Sequence, residues 1–265
     1  MALSMTNRHA QSGTQSIERA MTILRIIASG SPTGLRLKDI ANRAELASST
    51  VHRILMTLLN GGLIERRKNG ALYVIGSELT LLGLSSRARE FRERAAPALA
   101  ELSAAVGDAV FLSVRSDLDT VCVDRRIGTY PVQVLTIEIG SRRPLGISAN
   151  GVAMLSRMRP QAVETILREN TERLSVYKTP LDVLETRIND ARKRGYVYSE
   201  RTTVKGASAL AMPICDAVGS PLAAVSTLAL ASRQPKRRIP ELVELLTLAS
   251  QEIEKAVRGL HIDII

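Results

Sequence analysis

The feature that most constrains this chain is a set of three short apolar stripes at helical spacing, all ahead of Gly61. Ile17, Ala20, Met21, Leu24, Ile27 and Ala28 recur every three or four residues and stop at Gly30-Ser31-Pro32. Leu37, Ile40, Ala41 and Ala44 form a second, shorter set. After the turn Glu45-Leu46-Ala47 a third follows at Val51, Ile54, Leu55, Leu58 and Leu59, closed by Gly61-Gly62. Apolar residues at this period share one helix face. Helices this short are marginal alone in water, so their stripes must be buried against one another. Ser48 or Ser49 is the expected N-cap of the third helix, because a serine hydroxyl accepts an orphan backbone N–H.

The outer face of that third helix carries Ser49, Thr50, His52, Arg53, Met56 and Thr57. Short hydrogen-bonding side chains and one guanidinium gather at the helix N-terminal half, the end a recognition helix presents to a major groove and the end that favours phosphate. Two strand-like runs follow, Leu63–Arg66 and Ala71–Val74, with Asn69-Gly70 suited to the tight turn between them and Arg66, Arg67 and Lys68 at or near its tip. Helix, turn, helix and basic hairpin in this order form the winged helix-turn-helix pattern. Charge agrees with a polyanion partner: residues 1–94 hold 14 basic and 7 acidic side chains, and residues 95–265 hold 22 and 19, so most of the +10 lies in the first third. On its own that excess is equally compatible with simple solubility. No Trp, two Phe and five Tyr leave few stacking platforms for single strands or RNA, so double-stranded DNA is the expected partner.

"SIERAMTILRIIAS", "LKDIANRAELASSTVHRILMTLLNGGLIER" and "ALYVIG" resemble the DNA-binding head of IclR-type transcriptional regulators. "PLGISANGVAMLS" and "ARKRGYVYSERTTVKGASALAMPICDAVGSPLAAVSTLAL" resemble the effector-binding domain of that family. The resemblance runs from about residue 16 to near the C-terminus. It implies a GAF-like antiparallel sheet domain, a small-molecule effector and a homodimer or tetramer. It also implies a pocket lined, position by position, by Leu145, Ala149, Asn150, Ser199, Ala209, Ser226 and Leu228. Ser199, Ala209 and Leu228 stand where family members often carry an acidic residue, a cysteine and a second serine, so this pocket is expected to be less polar.

Residues 76–94 start apolar and end charged. They read either as a helix that pairs with its twin in a dimer or as a solvated connector, and the resemblance favours the first. The body begins with a helix over 95–106. Strand-like runs follow at Ala109–Arg115, Thr120–Arg125 and Val132–Ile139, broken by Asp117, Gly128 and Pro131. Helical stretches at Ser148–Met158, Gln161–Arg168 and Leu181–Arg194 precede strands at Tyr196–Ser199, Ala207–Cys215 and Leu222–Leu230, and Glu241–Arg258 is a closing amphipathic helix. Without regular βα alternation this is an α+β domain. The expected division is therefore an arm over 1–14, a winged helix-turn-helix over 15–76, a linker helix over 77–94, and an effector-binding and oligomerisation domain over 95–265.

No phosphate loop, GxGxxG or HExxH is present, the two cysteines lie in apolar runs, and the body holds no histidine but His261. Catalysis, a cofactor and a metal are not expected. A polar start without an apolar leader, and no apolar run near the roughly 20 residues of a span, favour a cytoplasmic protein without a membrane partner. Arg53 is the best candidate for base contact, since a guanidinium pairs with guanine O6 and N7. Ser48, Ser49, Thr50 and His52 are expected at bases or phosphates. Arg19, Arg36, Lys38, Arg66, Arg67 and Lys68 are expected mainly at the backbone, with Arg8 on a flexible arm. Polar residues near turns (Asn150, Ser199, Ser208, Ser226 and Thr227) are candidates for a pocket, and Arg142, Arg143 and Arg201 for the charge partner of a small organic acid, aromatic acids included. Two other readings stay open: an enzyme with an appended winged helix, and a winged helix that docks onto protein.

Overall fold

A computed structural model of the chain describes residues 8–31, 33–67, 72–84, 87–200, 204–258 and 260. The chain divides into two compact units, Met1–Ser86 and Arg87–Ile265.

In the first unit α1 (Arg8–Ala28), α2 (Leu37–Ala44) and α3 (Ser48–Asn60) pack around a small three-stranded antiparallel sheet of β1 (Leu35–Arg36), β2 (Ile64–Arg66) and β3 (Leu72–Ile75). The strand order is β1-β3-β2. Ile23 and Ile27 of α1, Ile40 of α2, and Val51, Leu55 and Leu58 of α3 meet Leu35, Ile64 and Tyr73 in one buried cluster. Tyr73 pairs with Leu35 on one side and Arg66 on the other, so the hairpin is anchored through its own core residue. The turn after α2 closes on Glu45, left-handed at φ 53. Its N–H bonds Asn42 O, and the Leu46 N–H bonds Ala41 O, a C-cap that fixes the angle between α2 and α3. The cap of α3 differs from expectation: Ala47 occupies the N-cap position without a side-chain bond, and Val51 N closes the first turn on Ala47 O. Ser48 and Ser49 thus lie inside the first turn with exposed hydroxyls. The arm expected over 1–14 is helical from Arg8 onward.

The stretch expected as one linker over 77–94 divides between the units. A short helix α4 (Ser77–Leu84) belongs to the first, and α5 (Arg87–Val106) belongs to the second and runs unbroken past Pro97.

The second unit is built on one six-stranded antiparallel sheet, order β6-β5-β4-β9-β8-β7. Its strands are β4 (Ala109–Ser116), β5 (Asp119–Arg126), β6 (Arg142–Pro144), β7 (Val197–Ser199), β8 (Ala207–Cys215) and β9 (Pro221–Leu230). Side chains alternate between faces along a strand, and that alternation makes two cores. Val110, Leu112 and Val114 of β4, Leu210, Met212 and Ile214 of β8, and Ala223 and Val225 of β9 face α5 and the closing helix α10 (Ile239–Ala256). On the other face Ala211 and Ala224 meet α6 (Ala149–Ser156), α7 (Pro160–Glu169), α8 (Thr171–Val176) and α9 (Leu181–Arg194). The small residues on that face let α6 lie close to the sheet.

The strand expected over Val132–Ile139 is absent; residues 127–141 form an irregular segment. Val132 and Ile139 are exposed and only Val134 of the run is buried, so no continuous buried face holds a strand in register. Side chains satisfy its backbone instead: Arg125 donates to Ile137 O, Arg143 to Thr136 O, and Gln133 to Tyr130 O. The adjacent edge strand is β6, which pairs with β5 through Arg142↔Val121 and Arg143↔Thr120.

Candidate functional site

The first unit presents a polar helix face. With Val51, Leu55 and Leu58 buried, helical geometry turns Ser48, Ser49, His52, Arg53, Met56 and Thr57 outward, and all six are exposed. Thr50, expected on the same face, is half-buried. Arg53 and His52 make no side-chain hydrogen bond or ion pair among the described residues, which leaves their donors available to a groove. Arg36 and Lys38, on β1 and in the first turn of α2, are exposed, and Arg19 is half-buried on α1. Arg66 and Arg67 are exposed at the end of β2, with the Arg66 guanidinium 5.4 Å from the Tyr73 ring centroid. Lys68 and the Asn69-Gly70 turn lie outside the described residues, and for Arg8 only its helical backbone is described.

The second unit holds a cleft on the sheet face opposite α5 and α10, with about 690 Å³ of atom-free space, its open mouth included. Strand register builds its floor. Ser226 stands opposite Phe111 and Ala211, Leu228 opposite Ala109 and Ala209, and Ser199 opposite Ala209. The same alternation brings in Ser113 from β4 and Thr120 and Cys122 from β5. One wall is the start of α6. Ser148 caps it, its Oγ accepting from Gly151 N at 3.0 Å. Gly151 is required here: a Cβ would come within 2.9 Å of the Gly146 backbone nitrogen. Asn150, 3 % exposed, donates through Nδ2 to Ser113 Oγ at 2.8 Å, while its Oδ1 has no partner. The irregular segment adds Thr136, Ile137 and Ser141, and α9 adds Arg187.

The charge of the lining is one-sided. Arg143 and Arg187 face the cleft, and no Asp or Glu does among the described residues. Burial pushes the Cys122 thiol up to about 12, so it is neutral near pH 7; it donates to Asp124 O. Burial also lowers the Arg187 pKa from its ordinary value, without removing a charge that guanidinium keeps at any ordinary pH. Arg142, expected as a carboxylate partner, is committed elsewhere: it pairs with Asp119 at 3.2 Å and donates to Ser116 Oγ, and Arg173 binds the same carboxylate. Arg201 lies outside the described residues.

Of the seven residues carried over by resemblance, the structure brings six to this cleft: Ala149, Asn150, Ser199, Ala209, Ser226 and Leu228. Leu145 is not among them; fully buried, it packs in the core under α6 and α9. Ser208 and Thr227 do not reach the cleft either. Each is one residue out of phase with the cleft-facing set, and Ser208 donates to Gln234 Oε1 instead. Reading residues singly missed Arg187, Thr120 and Cys122. Arg187 borders the stripe Leu184, Ile188, Ala191, so a cation beside an apolar helix face was its only sequence signal. Thr120 and Cys122 were visible as one phase of the alternation in "DTVCVD". No described His, Cys, Asp and Glu residues group as a metal site, and no described helix is long and apolar enough to cross a membrane.

Comparison with known proteins agrees across both units. Residues 16–68 match the IclR helix-turn-helix domain, and residues 85–255 match the family described as bacterial transcriptional regulator IclR C-terminal. The chain is 29% identical over 245 residues to the HTH-type transcriptional regulator BhcR of Paracoccus denitrificans, covering 91% of this chain and 86% of that protein. It is 32% identical over 216 residues to the glycerol operon regulatory protein of Streptomyces coelicolor, covering 80% and 83%. Among solved structures, an IclR homolog from Microbacterium hydrocarbonoxydans complexed with 4-hydroxybenzoate superposes with a TM-score of 0.73 at 24% identity, covering 91% of this chain and 98% of that one. An IclR-family regulator from Alicyclobacillus acidocaldarius gives 0.74 at 18% identity, covering 91% and 98%. With both of its units matched, the chain belongs to the IclR family of bacterial transcriptional regulators.

Proposed function

We propose that this chain is a ligand-responsive, sequence-specific regulator of a metabolic operon whose effector is a small organic acid. The observation that carries the acid is the lining of the cleft, with two arginines and no carboxylate among the described residues. A carboxylate gains charge-assisted hydrogen bonds there. The solved homolog with 4-hydroxybenzoate and the regulators of glycerol operons support a metabolite of this size.

In the same reading α3 lies in the major groove. Arg53 contacts a base, and Ser48, Ser49, Thr50 and His52 contact bases or phosphates. Arg19, Arg36, Lys38, Arg66, Arg67 and Lys68 hold the DNA backbone. Exposed Ile17 and Met21 on α1, and Leu81 and Leu82 on α4, supply apolar surface for assembly into a homodimer or tetramer. The effector is bound and released unchanged. Its influence on DNA binding equals its differential affinity for two states of the protein.

Sequencing fragments that the purified protein recovers from genomic DNA, then titrating the protein on those fragments with a panel of organic acids, tests this reading. The expected result is a small set of sites beside genes for metabolism of one acid, with that acid changing affinity for the sites and emerging chemically unchanged. Recovery without sequence preference, or consumption of the acid, counts against it.

A further inference from the structure

We propose that the cleft selects a hydroxy acid, with Arg187 taking the carboxylate and the unpartnered end of the Asn150 amide taking a hydroxyl of the same molecule. The proposal rests on the effector reading above and narrows it to one chemical class.

Arg187 stands apart from the other half-buried arginines of its unit. Arg115 donates to Asp117 O, Arg125 to Ile137 O, Arg126 to Asp124 and Arg143 to Thr136 O. Arg142 is paired with Asp119, and Arg233 and Arg238 with Asp108. Arg187 alone of this set has no hydrogen bond or ion pair among the described residues, although it is partly desolvated and lines the cleft. A desolvated cation without a counter-ion is costly unless something else supplies the charge. Nothing among the described residues of the cleft does so: the Cys122 thiol stays protonated, and no described acidic side chain lines the wall.

Asn150 supplies a second, independent sign of a missing group. Its amide is almost wholly buried, held by Ser113 at one end and unpartnered at the other. An orphan amide atom shielded from solvent is costly, and a turn of the side chain toward the cleft lets a ligand group recover that cost on binding. A hydroxyl meets the need best because it both donates and accepts, and so satisfies the amide whichever way it is turned. Asn150 also lies in the first turn of α6, where the helix dipole favours an anion nearby. Ile137, Ile147, Val204 and Leu228 give the lining an apolar wall among its serine and threonine hydroxyls, which suits a small carbon skeleton between the two polar groups.

The test uses the full chain and calorimetric titration with matched acids: lactate against propionate, 3-hydroxybutyrate against butyrate, mandelate against phenylacetate, and 4-hydroxybenzoate against benzoate. At least one hydroxy acid is expected to bind tenfold or more tightly than its deoxy partner. Arg187→Met is expected to weaken that acid at least tenfold, and Arg187→Lys less. Both variants should still fold and recognise the recovered DNA fragments, with Arg187→Met melting no lower than the wild type. Asn150→Ala is expected to erase the preference within the pair while acid binding persists. Because Asn150 is buried, Ser113→Ala, which frees the other end of the amide, gives a second reading of the same preference. Equal affinity within every pair, or undiminished binding by Arg187→Met, overturns the hydroxy-acid proposal and leaves the organic-acid reading standing. Failure of all eight acids to bind a chain that still recognises its DNA overturns both.

Discussion

Arg53 and Cys122 make opposite uses of exposure. Arg53 is exposed on α3 and makes no side-chain bond among the described residues, so its removal should cost the free protein little. Arg53→Ala is expected to weaken specific DNA by about 1–3 kcal/mol and to flatten preference at one base position, with melting temperature unchanged. Binding isotherms on single-base variants of the recovered site check both parts, and an unchanged preference removes Arg53 from the base-contacting set. Cys122 is buried, and its thiol is held up to about 12 against an ordinary value of 9.0. The unfolded chain therefore loses that proton first as pH rises. The contribution is fully present below pH 9 and disappears between pH 9 and about 12. At pH 10.5 the wild type should have lost on the order of 1–2 kcal/mol through this thiol. Urea unfolding of wild type and Cys122→Ala at pH 8 and pH 10.5 measures it: the variant should show the smaller drop, and equal drops would refute the assignment.

At the scale of elements, the second unit is clasped where α5 ends. Asp108, its side chain 2 % exposed, accepts from Arg233 at 3.1 and 3.2 Å, and Arg238 lies 3.7 Å away. Both arginines also donate to Val106 O, the carbonyl that ends α5. Arg233 stacks 3.9 Å from the Tyr130 ring centroid. Gly128 meets Gly107 so closely that a Cβ would fall 2.2 Å from its backbone. Asp108→Ala leaves two partly buried guanidinium groups without their carboxylate. It is expected to cost roughly 2–4 kcal/mol in urea unfolding, with little change in DNA affinity per folded molecule. A loss under 0.5 kcal/mol would mean that the stacking and the carbonyl bonds suffice alone.

This scale also shows what the sequence could and could not reveal. α9 over Leu181–Arg194 and β8 over Ala207–Cys215 were legible because period and length agreed with burial. The run Val132–Ile139 looked like a strand for the same compositional reasons and is not one: the side chains of Arg125 and Arg143 bond its carbonyls at Ile137 and Thr136 where a neighbouring strand would. β6 carries two arginines in three residues and has no apolar pattern to betray it. Six cleft residues were reachable by resemblance. Arg187 was not, because a helix full of charges hides the one that turns inward.

At the scale of the molecule, a two-fold assembly of this chain would place two α3 helices on one face of the duplex. Protection mapping of a recovered fragment is then expected to show an inverted repeat with half-sites about one helical turn (~34 Å) apart or a multiple of it. Sedimentation of the free protein should give a dimer or tetramer. A monomer protecting a single half-site would contradict this.

The alternation of β4 has a mechanical corollary. Ser113 looks into the cleft, while its neighbours Leu112 and Val114 support the side chains of α5 on the reverse of the sheet. A guest in the cleft and the helix by which the chain leads back toward residue 86 thus push on opposite sides of a membrane one strand thick, like two hands on a drumskin. Phe91 and Ala95 of α5 share one buried cluster with Leu112 and Val114, so a shift of β4 would meet that helix directly, with no loop between.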